Sequence, residues 1–339
     1  MLPPDATRLI ITPETALEQG KVLGSGAFGT VYKGYWRPEG DPNCYEVAIK
    51  VLKEETATPQ SQRELLQEGA VMAMMDHINV VRLYSVCMGK QMMLVSQFVR
   101  LGSLLSYIKK NQATLDADSM LNFSKQIADG MAYLEEKRMV HRDLAARNVL
   151  VHTPQLVKIT DFGLTRIIDV GESHYKATGG MVPLRWMAPE SIFLFEYTHK
   201  SDVWSFGVTI WEILMYGRLP YEGKNGNQVL ELVKNGQLLE RPATCAADLY
   251  HLLGQCWLHD QNKRPSFTAL SNSLNVMLED PTRYILTANG SGRCGERHLP
   301  QTSSHSDLTT TANLAYDLAP NFKEDIVTSS NSAYQSTGH

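Results

Sequence analysis

The segment His141-Arg142-Asp143-Leu144-Ala145-Ala146-Arg147-Asn148 constrains this chain more than any other. It sets an aspartate and an asparagine close together on one short stretch, and Asp161-Phe162-Gly163 follows after an apolar-leaning run. Chemistry at a phosphoryl group needs a carboxylate to hold an attacking hydroxyl, and oxygen ligands to hold magnesium on the phosphates. Asp143 suits the first role, and Asn148 with Asp161 suits the second. A fold that uses this pattern has to bring the three side chains to one place.

The upstream sequence supplies a phosphate cradle. Gly24-Ser25-Gly26-Ala27-Phe28-Gly29-Thr30-Val31 reads G-x-G-x-x-G-x-V, and Val47-Ala48-Ile49-Lys50 follows at a hairpin's distance. Glycines let backbone amides approach phosphate oxygens with no Cβ in the way, and Lys50 adds a point charge for the α- and β-phosphates. A lone G-x-G-x-x-G also opens dinucleotide-binding βαβ units. Here a strand-like run from Thr30 to Tyr35 follows in place of an amphipathic helix, and that reading fails. Glu68 lies on a helix-period segment expected over about Gln62 to Met75, placed to pair with Lys50. Gly69 sits inside that helix at a cost of roughly 0.8–1 kcal/mol relative to Ala, so the helix is expected to fray or lean outward. Ala188-Pro189-Glu190, Asp202-Val203-Trp204-Ser205-Phe206-Gly207, Cys256-Trp257 and Arg264-Pro265 complete the series in order. His141 reads as loop packing, and Glu190 with Arg264 as a buried structural pair.

The whole chain sets wider bounds. Its 339 residues hold one large bilobal domain plus flanks. A net charge of −4 leaves no footprint for nucleic acid. Five cysteines, Cys44, Cys87, Cys245, Cys256 and Cys294, are scattered without C-x-x-C spacing, which fits a reducing compartment. No apolar run approaches the roughly 20 residues that span a bilayer, and Met1-Leu2-Pro3-Pro4-Asp5 is no secretory signal. The chain as written reads as soluble and cytoplasmic. Short β-rich runs from Gly20 to Val95 surround one helix. Helical spacing follows from Met120 to Arg138 and onward to about Leu278. From about Ile285 the composition turns to Ser, Thr, Asn and Gly, as in disordered tails.

Together these motifs resemble the protein kinases, and Ala145-Ala146-Arg147 with Pro183-Leu184-Arg185-Trp186 resembles the tyrosine-specific branch. Serine/threonine kinases usually place Lys where this chain has Ala145. A pseudokinase would lack Lys50, Asp143, Asn148 or Asp161, and none is lost. Between about Arg8 and Tyr284 the chain is similar to the epidermal growth factor receptor family. The carriers are Val22 to Gly34, Gln97, Leu150 to Thr160, and Asp280-Pro281-Thr282-Arg283-Tyr284. The resemblance implies an α+β bilobal kinase fold, with a small antiparallel β-sheet N-lobe carrying one helix and a larger, mainly α-helical C-lobe. It divides the chain into a juxtamembrane-like segment (1–17), an N-lobe (18–96), a hinge (97–102), a C-lobe (103–283) and a disordered, phosphorylatable tail (284–339).

The same resemblance implies roles for individual residues. Leu23, Val31 and Ala48 form the roof of an adenine slot and Leu150 its floor, while backbone groups of Gln97 and Val99 meet the adenine edge. Ser96 takes the gatekeeper place, and Ser103 stands where some relatives carry a reactive Cys. Pro189 stands where the vertebrate receptors show Leu. Met72, Leu83, His141 and Phe162 stack into an apolar column. Asp143, Lys50, Glu68 and Arg147 are the catalytic group, with ATP and Mg2+ (Mn2+ as an alternative) bound by the glycine loop, Asn148 and Asp161. Tyr175 is the activation-loop tyrosine. Tyr316 and Tyr334, each in N-x-x-Y, suit phosphotyrosine-binding adaptors. A second kinase domain, in an asymmetric homo- or heterodimer, would dock on Ile11, Leu66 and Met92. Substrates are protein tyrosines. The family's extracellular region and membrane span are not in this sequence, so a receptor fragment at the cytoplasmic face of the plasma membrane and a soluble form are both expected readings.

Overall fold

The computed structural model describes residues 10–26, 29–52, 58–168, 174–176 and 183–286. Ala27, Phe28, Tyr316 and Tyr334 lie outside the described residues. Six strands build the smaller lobe: β1 (Ile10–Thr12), β2 (Leu17–Gly26), β3 (Gly29–Trp36), β4 (Tyr45–Val51), β5 (Leu83–Met88) and β6 (Met92–Gln97). Their order across the sheet is β1-β5-β6-β4-β3-β2. In β4 burial alternates strictly, with Tyr45, Val47, Ile49 and Val51 inward, as the two-residue strand period requires.

The structure extends the lobe beyond its expected start at this edge. Ile10–Thr12, assigned to a segment preceding the lobe, is a strand of its sheet. It pairs in parallel with β5 at the edge of a lobe whose other strands pair antiparallel, as expected. Thr12 is buried and its hydroxyl accepts a hydrogen bond from the Trp36 indole at 3.0 Å. Trp36, itself fully buried, stacks on Tyr84. A threonine far from Trp36 in sequence gave no local cue to this contact.

Helix α1 (Pro59–Ala73) packs against β5 and β6. It begins earlier than the apolar period indicates, because its start is polar. The Thr58 side chain accepts from the Ser61 amide, Ser61 reciprocates to the Thr58 amide, and Pro59 stands at the first helical position. The chain leaving α1 is tied to the other lobe. Asn79 donates to Val157 O at 3.0 Å and Gln126 Oε1 at 2.9 Å, and Lys158 Nζ donates to Ile78 O at 2.6 Å.

The larger lobe is helical. Its helices are α2 (Leu104–Lys110), α3 (Ala117–Glu136), α4 (Pro189–Phe193), α5 (His199–Leu214), α6 (Gly226–Lys234), α7 (Ala247–Cys256), α8 (Phe267–Met277) and α9 (Pro281–Tyr284). Asp116 caps α3 by accepting from the Ser119 amide. Met120, Phe123, Ile127, Met131 and Leu134 then fall on its buried face at helical spacing. Every residue of α5 from Ser201 to Leu214 is buried, so this helix is the spine of the lobe. The lobe also carries short strands: β7 (Met139–Val140), β8 (Val149–Thr153), β9 (Leu156–Ile159), β10 (Arg166–Ile167), β11 (Tyr175–Lys176) and β12 (Glu196–Tyr197). Glu190 and Arg264 form the expected buried pair, bidentate at 2.6 and 2.9 Å. The lobe also runs past the expected boundary at 283. Tyr284 and Ile285 are buried, Ile285 bridges Cys245, and the Leu286 amide donates to Thr244 O. Among the described residues no helix is long and apolar enough to cross a membrane.

Candidate active site

The glycine-rich turn joins β2 to β3, and its glycines do different work. A Cβ placed on Gly24 would meet nothing within 4 Å, so the space beside it is open. Gly29 has φ of +138°, and a Cβ on it would come within 2.3 Å of Val51 O. Only glycine lets β3 start so close to β4. Ser25 hydrogen-bonds Thr30 across the hairpin. Leu23 is half exposed, Val31 and Ala48 are half-buried on β3 and β4, and Leu150 lies on β8 in the other lobe. Ser96 sits opposite Ala48 on β6, and its hydroxyl donates weakly to Ala48 O at 3.4 Å. The Gln97 amide donates to Arg82 O, which commits that amide to the sheet and narrows the expected hinge contacts to its carbonyl and Val99. Ser103 caps α2 through the Ser106 amide.

Lys50 Nζ donates to both carboxylate oxygens of Glu68 at 2.7 Å and lies 3.8 Å from Asp161 Oδ1. Burial works against the Glu68 charge and Lys50 supports it. Helix α1 is therefore turned inward and continues through Gly69, where an outward or frayed helix was expected. A Cβ on Gly69 would lie 2.8 Å from Leu94 Cδ2. Gly69 thus faces the Leu94 side chain where α1 packs on β6. Of the expected column, Met72, Leu83, His141 and Phe162 are all buried, and His141 meets the Phe162 ring edge-on.

The loop from His141 to Asn148 hangs from α5. Asp202 accepts from the amides of His141 at 2.8 Å and Arg142 at 2.9 Å. Burial lifts its carboxyl to about 7, against the pull of those two donors. Glu212 Oε2 accepts from the Ala146 amide and the Trp186 indole, at 3.0 and 2.8 Å. Arg142 and Asp161 have φ of 70° and 66°, left-handed backbone that such residues rarely adopt. This backbone clusters at functional sites where the surroundings over-determine it. His141 is wholly buried. Its Nδ1 accepts from the Asp143 amide, and burial holds the imidazole down at about 4, so it is neutral at pH 7.

Asp143 is the focus of this loop. It accepts from Arg147 Nη2 and from Asn148 Nδ2 at 2.8 Å. Burial raises its pKa to about 6; Arg147 opposes that shift and Asp161 adds to it. Arg147 also lies over the Trp186 ring, 4.4 Å from its centroid. The structure thus brings Lys50, Glu68, Asp143, Arg147, Asn148 and Asp161 to one cleft. Asn148 and Asp161 offer oxygen donors, the ligand type of a hard divalent cation, which binds through one or two carboxylates plus substrate phosphates and water. Among the described residues no group of three or more His, Cys, Asp or Glu is gathered as a metal cage. Sequence reasoning missed Glu212. Its signal was a carboxylate inside the apolar run Ile210-Trp211-Glu212-Ile213-Leu214, where only a partnered charge is tolerated.

Residues 17–274 match the protein tyrosine and serine/threonine kinase family. The chain belongs to that family. Within it, the chain is 49% identical over 282 residues to the epidermal growth factor receptor of Apis mellifera, covering 83% of this chain and 22% of that protein. It is 47% identical over 283 residues to the receptor tyrosine-protein kinase erbB-4 of Homo sapiens (84% and 22%). To the receptor tyrosine-protein kinase erbB-2 of Mus musculus it is 46% identical over 286 residues (84% and 23%). The chain spans less than a quarter of the length of these curated relatives. A protein kinase domain of this kind uses ATP and a divalent cation.

Proposed function

We propose that this chain is the catalytic region of a receptor-type protein-tyrosine kinase acting in growth-factor signalling. It transfers the ATP γ-phosphate to tyrosine hydroxyls of protein substrates, its own tyrosines included. The observation that carries the reading is the convergence of Lys50, Glu68, Asp143, Asn148 and Asp161 on one cleft, with α1 turned inward. Lys50 binds the α- and β-phosphates and Glu68 holds it in place. The glycine turn covers the phosphates, while Leu23, Val31, Ala48 and Leu150 enclose the adenine beside Ser96, Gln97 and Val99. Asp143 accepts the hydroxyl proton. Asn148 and Asp161 hold Mg2+, which neutralises phosphate charge when bound. Arg147 lies beside Asp143 with Ala145 at the position where a lysine would suit a shorter serine, and this favours tyrosine.

The flanking assignments extend the proposal. Tyr175, Tyr316 and Tyr334 are phosphate acceptors, the last two docking phosphotyrosine-binding adaptors. A second kinase domain docks on the N-lobe, where Ile11 is 68% and Leu66 37% exposed. Met92 is half-buried against the main core and contributes less surface. Similarity to receptors supports a position at the cytoplasmic face of the plasma membrane. Phosphoamino-acid analysis of a mixed Tyr, Ser and Thr peptide tests the reaction. The expected product is phosphotyrosine alone, lost in Asp143→Asn and Lys50→Met with the fold intact. Phosphoserine as the main product, or either variant working near the wild-type rate, overturns the reading.

A further inference from the structure

Arg142 precedes Asp143 and carries the strained φ described above. Its amide is fixed by Asp202, and its Nη1 donates to Leu164 O at 3.1 Å. Its Nε is buried with no hydrogen-bond partner, and no ion pair of Arg142 occurs among the described residues. The guanidinium is met by aromatic faces. Its Cζ lies 4.2 Å from the Tyr197 ring centroid and 4.8 Å from that of Tyr175. Those two tyrosines face each other across the β11–β12 ladder. Tyr197 is buried and belongs to the C-lobe core, whereas Tyr175 is half-buried and comes from the activation segment.

We propose that the ring of Tyr175, and not a phosphate on its hydroxyl, is the group that couples the activation segment to the catalytic loop. Arginine over an aromatic face is attracted by the ring quadrupole, more strongly when the pair is desolvated. Two rings supply that attraction to one guanidinium here, and together they hold Arg142 in backbone that it would otherwise leave. Asp143 follows directly in the chain, so the Tyr175 ring is a positioning residue for it. Phenylalanine preserves this contact because the face, and not the hydroxyl, makes it. The rival device is a phosphate switch, in which phosphotyrosine 175 recruits Arg142 and Arg166, the latter 5.9 Å from the ring. This inference rests on the kinase reading above, and its test therefore includes a measurement independent of turnover.

The experiment uses the full chain, treated with phosphatase, as wild type, Tyr175→Phe and Tyr175→Leu. Steady-state assays follow phosphorylation of a tyrosine peptide, and hydrogen–deuterium exchange is read on the peptide spanning 141–148. Tyr175→Phe should match wild type within about twofold, while Tyr175→Leu should lose about tenfold in kcat, a barrier change near 1.4 kcal/mol. The ATP KM and melting temperature should stay put. Exchange in 141–148 should rise in Tyr175→Leu and not in Tyr175→Phe. Equal losses in both variants, or an inactive phosphatase-treated wild type that phosphorylation restores, would establish the phosphate switch and overturn the proposal. Unchanged exchange in Tyr175→Leu overturns it as well. A wild type inactive in every state, yet with the exchange pattern intact, sinks the kinase reading and leaves the ring contact standing.

Discussion

Asp143 combines a buried carboxylate with two side-chain donors, and the balance leaves its pKa raised to about 6. A proton acceptor works as the carboxylate. Activity should therefore be full above about pH 6 and fall as the pH drops through that value. A pH profile of kcat/KM checks this directly; an acid limb near the ordinary aspartate value of about 4 would show that burial has no hold on the group. Gly69 makes the opposite lesson at the same scale. Sequence alone assigns it a helix penalty, so Ala should help. The Leu94 methyl 2.8 Å from the missing Cβ would have to shift, which offsets part of that gain. We expect Gly69→Ala to change stability by less than about 1 kcal/mol, the helix gain offset by the shift of Leu94, and to keep the Glu68–Lys50 contact, as denaturant melts and assays would reveal. The Asp143, Asn148 and Asp161 set was legible because its spacing is local. The neighbour of Gly69 was not, because it lies across the sheet.

Elements show where such legibility fades. The apolar period located α1 but misplaced its start, since Thr58, Pro59 and Ser61 begin the helix with polar and capping residues. Helix α3 was easier, having a capped start and a regular buried face. The loop leaving α1 was opaque, because its meaning lies in partners from elsewhere. Asn79 bonds Val157 O and Gln126, and Lys158 reaches back to Ile78 O. This loop is thereby held by the helical lobe while α1 belongs to the sheet lobe. Asn79→Ala leaves buried partners unsatisfied, which should cost about 1–3 kcal/mol. The melting temperature should fall by about 2–4 °C for each kcal/mol in a domain of this size. A variant that melts with wild type would show that the tether carries no load.

Across the whole molecule, the two-lobed plan and the cleft between the lobes were readable from motif order, while both ends of the domain were not. Ile10–Thr12 and Tyr284–Leu286 join the fold through pairings too short to leave a periodic trace. The exposed Leu66 and Ile11 lead to a test of pairing. Specific activity should rise as wild-type protein is concentrated or tethered, and Leu66→Arg should abolish that rise while leaving the melting temperature nearly unchanged. Activity independent of concentration would dispose of the pairing model. Strand β1 carries one more consequence, which concerns handling. It is the cover on the outer edge of β5 and carries the hydrogen-bond acceptor for the Trp36 indole N–H. A chain trimmed to begin at Glu14 would present bare backbone donors and acceptors along β5, an open template for a neighbouring molecule's strand. Light scattering on storage should show such a shortened protein clumping where the longer one stays dispersed.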